Sequence, residues 1–303
     1  MPDPPSDERT DSQFQPPSRT ATVDRLTVYP IKSLDGRSVE SVEIVENGGL
    51  AGDREFALFD ADGEYVNGKR ERRVHRIRAS YEGEGPRIDA VELSTADAEP
   101  RRFTIDGLAD GSAADGDGGT DGTAADWLAE RLGTPVSLAR DPAGGFPDDT
   151  TASGPTVIST ATIQEVATWF DGIDAAGMRR RLRPNIELGG VPPFWEDHLF
   201  ADRDHHVAFT IGGVPVHGVN PCQRCVVPSR DPETGEAYEG FRAAFIEKRR
   251  ETMPSWSGGE WFDHEFRLMV NTMVPPSAWG RSLSVGQTVE VGRPVAAESA
   301  ADP

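Results

Sequence analysis

Two cysteines three positions apart, Cys222 and Cys225, are the only thiols in the chain, and Arg224 lies between them. They fall in the run Asn220-Pro221-Cys222-Gln223-Arg224-Cys225, followed by a turn built by Asp231-Pro232 and Gly235. A guanidinium beside a thiol favours the thiolate, the form that ligates metals and attacks electrophiles. Two thiols cannot scaffold a chain of this length with disulfides, so metal binding or redox chemistry is the more informative use. The spacing alone leaves several uses open. It suits half of a zinc site completed by His205, His206 or His217, a dithiol redox pair, or two structural thiols packed under a turn.

The second chemical signal is positive charge concentrated in a chain that has little of it. Against 51 Asp and Glu there are 31 Lys and Arg, giving a net charge of -20, and only Lys32, Lys69 and Lys248 are lysines. Ten of those 31 bases fall within the fifteen positions 69–78 and 179–183. Arginines fixed in this way bind phosphate through bidentate, charge-assisted hydrogen bonds, whereas the bland alternative is pairing with surface carboxylates. Lys32, in Tyr29-Pro30-Ile31-Lys32-Ser33, and Arg54, in Gly52-Asp53-Arg54, each stand after a strand or at a Gly-rich turn. Loops on a rigid scaffold are where binding residues concentrate.

The bulk charge repels nucleic acid and anionic lipid, and an acid-coated surface suits concentrated salt, as in a halophile's cytoplasm. No run approaches the roughly 18 consecutive apolar residues of a membrane span, and residues 1–20 lack the apolar segment of a signal peptide. A soluble, cytoplasmic protein is expected, with no nucleic-acid or membrane partner.

The elements that must position these groups read as mainly β with peripheral helices (α+β). Residues 1–21 are polar and Pro-rich and predict a disordered tail. Short β-branched and aromatic runs at 26–29, 39–45, 56–59, 91–93 and 103–105, separated by Gly-rich turns, predict a β unit over 22–106. A Gly/Asp/Ala stretch at 107–125 reads as a flexible loop and the internal boundary. Beyond it, 126–295 forms the second unit, and 296–303 is a short tail. Asp126 is expected to cap a helix ended by Gly133, with a strand at 136–138. Thr162 and Glu165 predict a helix over 162–170, and Phe241 with Phe245 another before Pro254. Strands are predicted at 207–211, 214–217, 266–274 and 283–291.

These pieces, taken in order, resemble the MOSC family with its N-terminal β-barrel partner domain, as in the amidoxime reducing component and its bacterial relatives. The matching text is Val28-Tyr29-Pro30-Ile31-Lys32-Ser33, Gly49-Leu50-Ala51-Gly52-Asp53-Arg54, Val157-Ile158-Ser159-Thr160, Arg183-Pro184-Asn185, the Cys222 to Cys225 segment with Asp231 to Gly235, and Ser284-Val285-Gly286. The resemblance implies an N-terminal β-barrel domain packed on a MOSC β-barrel domain. It also implies a molybdenum pyranopterin cofactor between the two units. The second cysteine, Cys225, would ligate molybdenum and be the catalytic residue. Lys32, Ser33, Arg54 and Arg183 would bind phosphate and pterin, with Ser159, Thr160 and Asn185 supplying neutral hydrogen bonds. Relatives carry a Phe-Gly-Gln-like sequence where this chain has Leu268-Met269-Val270, which leaves Asn271 as a further contact.

The activity so implied is oxygen-atom transfer, such as reduction of N-hydroxylated small molecules, with the cofactor performing the hard chemistry. Electrons must come from a separate ferredoxin, flavoprotein or haem protein, because the chain has neither a cysteine set for an iron-sulfur cluster nor a Gly-x-Gly-x-x-Gly fingerprint. The alternative is a cofactor carrier or persulfide-transfer module. The absence of a fused pyridoxal-phosphate desulfurase domain weighs against its sulfurase form.

Overall fold

The computed structural model describes residues 19–105, 108, 122–254 and 261–297. Most of the expected tails at 1–21 and 296–303 and of the loop at 107–125 lie outside the described residues. No helix among the described residues is long and apolar enough to cross a membrane.

The chain opens with β1 (Ala21–Val28), whose buried positions are Ala21, Val23, Leu26 and Val28. Strict alternation would keep odd positions inward, but the register against its neighbour shifts between Val23 and Arg25. That bulge inserts one residue and returns Leu26 and Val28 to the core face. Short strands β2 (Arg37–Val39) and β3 (Ser41–Glu43) follow, then β4 (Phe56–Phe59). A meander of β5 (Arg78–Glu82), β6 (Ala90–Thr95) and β7 (Ala98–Thr104) forms a three-stranded antiparallel sheet.

Helix α1 (Ala124–Leu132) begins one turn earlier than expected. Thr123 is its N-cap, and Asp126 is the reciprocal partner in a capping box, satisfying two N–H groups that Asp126 alone would have left half-served. Gly133 ends it in the left-handed conformation. Strand β8 (Ser137–Arg140) pairs with β4, Phe56 opposite Arg140. Trp127, Leu128, Leu132 and Leu138 pack with Ile31, Phe56 and Leu58 in one core. The first packing unit therefore runs through β8, and the division expected at 107–125 does not separate two cores. Apolar faces on either side of that stretch need each other to be buried.

The second unit holds β9 (Val157–Ser159), α2 (Thr160–Ala167), α3 (Ala175–Leu182), β10 (Ile186–Gly189), β11 (His205–Ile211), β12 (Val214–Gln223), α4 (Phe241–Thr252), β13 (Arg267–Met273), β14 (Ser282–Ser284) and β15 (Thr288–Ala296). Seven strands close into a ring in the order β10-β9-β13-β12-β11-β15-β1, because β1 also pairs with β10; β2 extends from β1. The β9–β10 pair is parallel, and the other pairings of the ring are antiparallel. The fold is mainly β with peripheral helices, as expected. Inside the ring Val23, Leu26, Leu188, Ile211 and Val216 form a second core. A third core joins α2, α3 and α4 through Ile163, Met178, Phe241 and Phe245 against Phe266 and Leu268.

Candidate functional site

Where β1 leaves the ring, the chain passes into the first core. Both units therefore wall a cavity of about 730 Å³ there. Lys32, Ser33, Arg54, Arg183, Asn185, Asn271 and Cys225 line it, residues drawn from across most of the described chain. Ser159 and Thr160, expected among the neutral contacts, do not. Ser159 is fully buried as the N-cap of α2, where its hydroxyl accepts from Thr162 N–H and donates to the Pro192 carbonyl. Its cap role also replaces the one expected of Thr162. The Thr160 hydroxyl donates to Asp24 at 2.7 Å.

Tyr29, not among the residues expected at the site, organises the basic wall. Its ring lies under the Arg183 guanidinium at 4.1 Å and the Arg54 guanidinium at 5.8 Å. Its backbone N–H donates to Asp53 at 2.8 Å, and its hydroxyl donates to the Pro184 carbonyl. Burial raises the Tyr29 hydroxyl pKa against the two cations, so the ring stays a neutral platform. An aromatic residue ahead of Pro30 was the only signal available beforehand.

Ser33, Arg54 and Arg183 all have left-handed backbones, with φ of 75°, 53° and 58°. Residues other than glycine adopt that region at a cost, and such costs concentrate at functional sites. For Arg183 the geometry follows from its position as C-cap of α3. The cap turns its side chain away from the helix and toward Tyr29, where it also donates to the Leu34 carbonyl at 2.6 Å.

The two arginine clusters divide by task. Arg181 donates to the carbonyls of Pro228 and Arg230, and Arg180 to Glu233 and the Pro232 carbonyl. Arg78 reaches the Pro232 carbonyl, and Arg230 the Gly68 carbonyl. These staples hold the segment after Cys225 against both units. Arg179 pairs with buried Glu187 at 2.6 Å.

Among the described residues, Arg183 and Arg224 meet no carboxylate within salt-bridge distance. Burial lowers the Arg183 pKa, and Arg224 Nε is buried without a hydrogen-bond partner. Part-buried cations left without a carboxylate in this way favour an anion in the cavity. Burial likewise lowers the Lys32 pKa, with Asp148 opposing. Asn185 is committed elsewhere: its amide donates to the Thr27 carbonyl, and its oxygen accepts from Thr156.

The cysteines differ. Arg224 donates to Cys222 Sγ at 3.1 Å, and Cys222 packs against the helical core. Cys225 is half-buried at the cavity wall, and its sulfur makes no hydrogen bond among the described residues. Among those residues no three His, Cys, Asp or Glu side chains gather in a metal-holding group. His205, His206 and His217 therefore complete no zinc site with the cysteine pair. His205 instead contacts Asp202; His205 and His206 lie on β11, and His217 on β12.

Residues 20–135 match the family model of the MOSC N-terminal beta barrel domain. The first unit is thus similar to that barrel domain. The chain is also similar to two proteins called mitochondrial amidoxime reducing component 2. The one from Bos taurus is 25% identical over 248 residues, covering 72% of this chain and 68% of the relative. The one from Macaca fascicularis is 25% identical over 248 residues, covering 72% of this chain and 69% of the relative. The matched stretch supplies Lys32, Ser33 and Arg54 to the cavity wall, and the end of β12 with the residues just after it supplies the thiols.

Proposed function

We propose that this protein binds a molybdenum pyranopterin cofactor in the cavity and reduces N-hydroxylated small molecules with electrons from a separate redox protein. The observation that carries the reading is a thiol without a hydrogen bond among the described residues, Cys225, lining the same cavity as buried Lys32 and part-buried Arg54 and Arg183. One soft thiolate suits a metal that arrives already held by dithiolene sulfurs, and fixed cations suit its anionic tail. When bound, the group supplies two-electron oxygen-atom transfer between substrate and metal.

The protein's own contribution is positional. Lys32 and Arg54 would hold the phosphate, and Arg183, flattened on Tyr29, would face the pterin. Asn271, which donates to Asn220 at 2.9 Å, would fix the cavity edge beside the thiols. Arg224 engages Cys222 and so leaves Cys225 as the thiol open to the metal. The name of the two relatives, amidoxime reducing component, supports the substrate class. A ferredoxin, flavoprotein or haem protein would serve as donor.

The test is metal and pterin analysis of the purified protein, followed by amidoxime reduction with an artificial reductant. Stoichiometric molybdenum with turnover is expected. Cys225→Ala should lose turnover at least about a hundredfold, with Cys222→Ala within about tenfold of the natural protein. Equal loss from both would point to a dithiol function. Bound sulfane sulfur without turnover would favour the carrier reading.

A further inference from the structure

We propose that Asp148 is a built-in counter-anion of this cavity, bridging Lys32 and Arg54 and setting the affinity for any phosphate-bearing ligand, which must turn it aside to bind. The inference rests on the reading that Lys32 and Arg54 hold a phosphate group. Lys32 Nζ lies 2.8 Å from Asp148 Oδ1, and Arg54 Nε lies 3.5 Å from Oδ2. Each carboxylate oxygen thus meets a different cation, as two oxygens of one phosphate would.

Exposure decides which partner moves. The side chains of Lys32 and Arg54 are 8% and 15% exposed, against 57% for Asp148. The cations are also anchored through their backbones: Lys32 N–H donates to the Phe56 carbonyl, and Arg54 N–H to the Tyr29 carbonyl. On the Asp148 side the chain is held up to Phe146, whose ring packs edge-on against Phe59 at 5.7 Å and Tyr65 at 6.4 Å. Phe146 also accepts from Lys32 Nζ through its carbonyl at 2.8 Å. At Gly145 (φ 64°) a Cβ would meet the carbonyls of Asp53 and Arg54 at 2.7 and 2.9 Å, so that backbone cannot be lifted without opening the wall. The side chain of Asp148 can turn into water with the loop in place.

When it turns, Arg54 keeps Asp53, but Lys32 is left with one carbonyl and the face of the Tyr65 ring at 4.9 Å, and no carboxylate. A singly charged anion merely replaces what was lost, whereas a dianion gains on it. The device therefore selects phosphate esters over monovalent anions such as chloride, and it lowers their apparent affinity by the fraction of molecules in which Asp148 has turned away.

The full-length chain, purified from a host that does not make the cofactor, would be titrated calorimetrically with inorganic pyrophosphate. Asp148→Asn is expected to bind at least about tenfold tighter than the natural chain. Glu233→Gln, which removes a carboxylate from Arg180 elsewhere on the cavity rim, should stay within about twofold. Unchanged or weaker binding by Asp148→Asn, with a natural thermal transition, overturns the inference. If Lys32→Gln abolishes pyrophosphate binding while Asp148→Asn leaves it unchanged, only the inference fails. If Lys32→Gln leaves the affinity unchanged, the phosphate-site reading fails and takes the inference with it.

Discussion

At the scale of single residues, the cavity is built from groups that would be more stable elsewhere. Arg183 is part-buried without a carboxylate, carries a left-handed backbone and leans on a ring rather than an ion. Desolvating a cation without a paired charge is unfavourable, so its removal should relieve the fold while damaging the site. Arg183→Met is expected to melt at or above the natural temperature while cofactor content in the purified protein falls by at least about tenfold. Unchanged pterin content together with a lower melting temperature would show that Arg183 serves packing alone. Asn185 makes the opposite point. With its amide donating to Thr27 and its oxygen accepting from Thr156, it stitches β1 to the start of β9 beneath the cavity floor. Its contribution to the site is the shape of that floor.

At the scale of elements, β12 decides where the thiols stand. Its register against β13 shifts between Gly218 and Asn220 and again between Pro221 and Gln223. Those bulges bend the strand's end out of the ring and into the cavity wall. Gly218 makes the first bend possible, because the Leu199 carbonyl fills the space a side chain would need: a Cβ there would stand 1.6 Å from that oxygen. Gly218→Ala must push Leu199 away from a packed core. A loss of about 3 kcal/mol or more is expected, read from the urea midpoint, together with reduced metal content. A midpoint unchanged within error would mean that the close approach is not required. Helix ends act in the same way. The αL cap of α3 aims Arg183, and the cap of α2 consumes Ser159.

At the scale of the whole molecule, β1 makes the two units one. It closes the ring, and the residues just after it enter the first core and present Lys32. Within the second unit Asp197 and Arg249 pair at 2.6 Å, both buried. Beside them Glu196 accepts from Ser159 N–H and Thr162 Oγ1 through one oxygen, while the other has no partner. Burial, reinforced by Asp197, holds the Glu196 pKa well above the ordinary value of 4.5. A carboxyl whose folded pKa is raised binds its proton more tightly when folded, so its contribution to stability falls as pH rises past 4.5. Glu196→Gln should therefore melt close to the natural protein at about pH 5 and above it at about pH 8.5. A melting gap that does not widen with pH would show that Glu196 is ionised in the fold.

Residue types and short spacings determined much of this protein. Strand-forming runs separated by Gly-rich turns determined a mainly β fold, because alternation and turn chemistry are local. The Cys-x-x-Cys run and the isolated Lys32 and Arg54 marked chemistry, because a thiol and a cation are rare and conspicuous in this composition. Helix α3 and strand β5 were not legible: α3 carries three arginines where an apolar face would show it, and β5 alternates weakly. Only the tertiary structure could decide which conspicuous residues meet. It drew Ser159 into a cap, spent Arg180 and Arg181 on carbonyls, and brought Tyr29 and Asp148 to the cations. Those outcomes depend on ring closure between β1 and β10, strands more than a hundred residues apart, and on bulges whose positions follow from packing across the ring. No local pattern encodes a contact whose partner is set by the closure of the whole sheet.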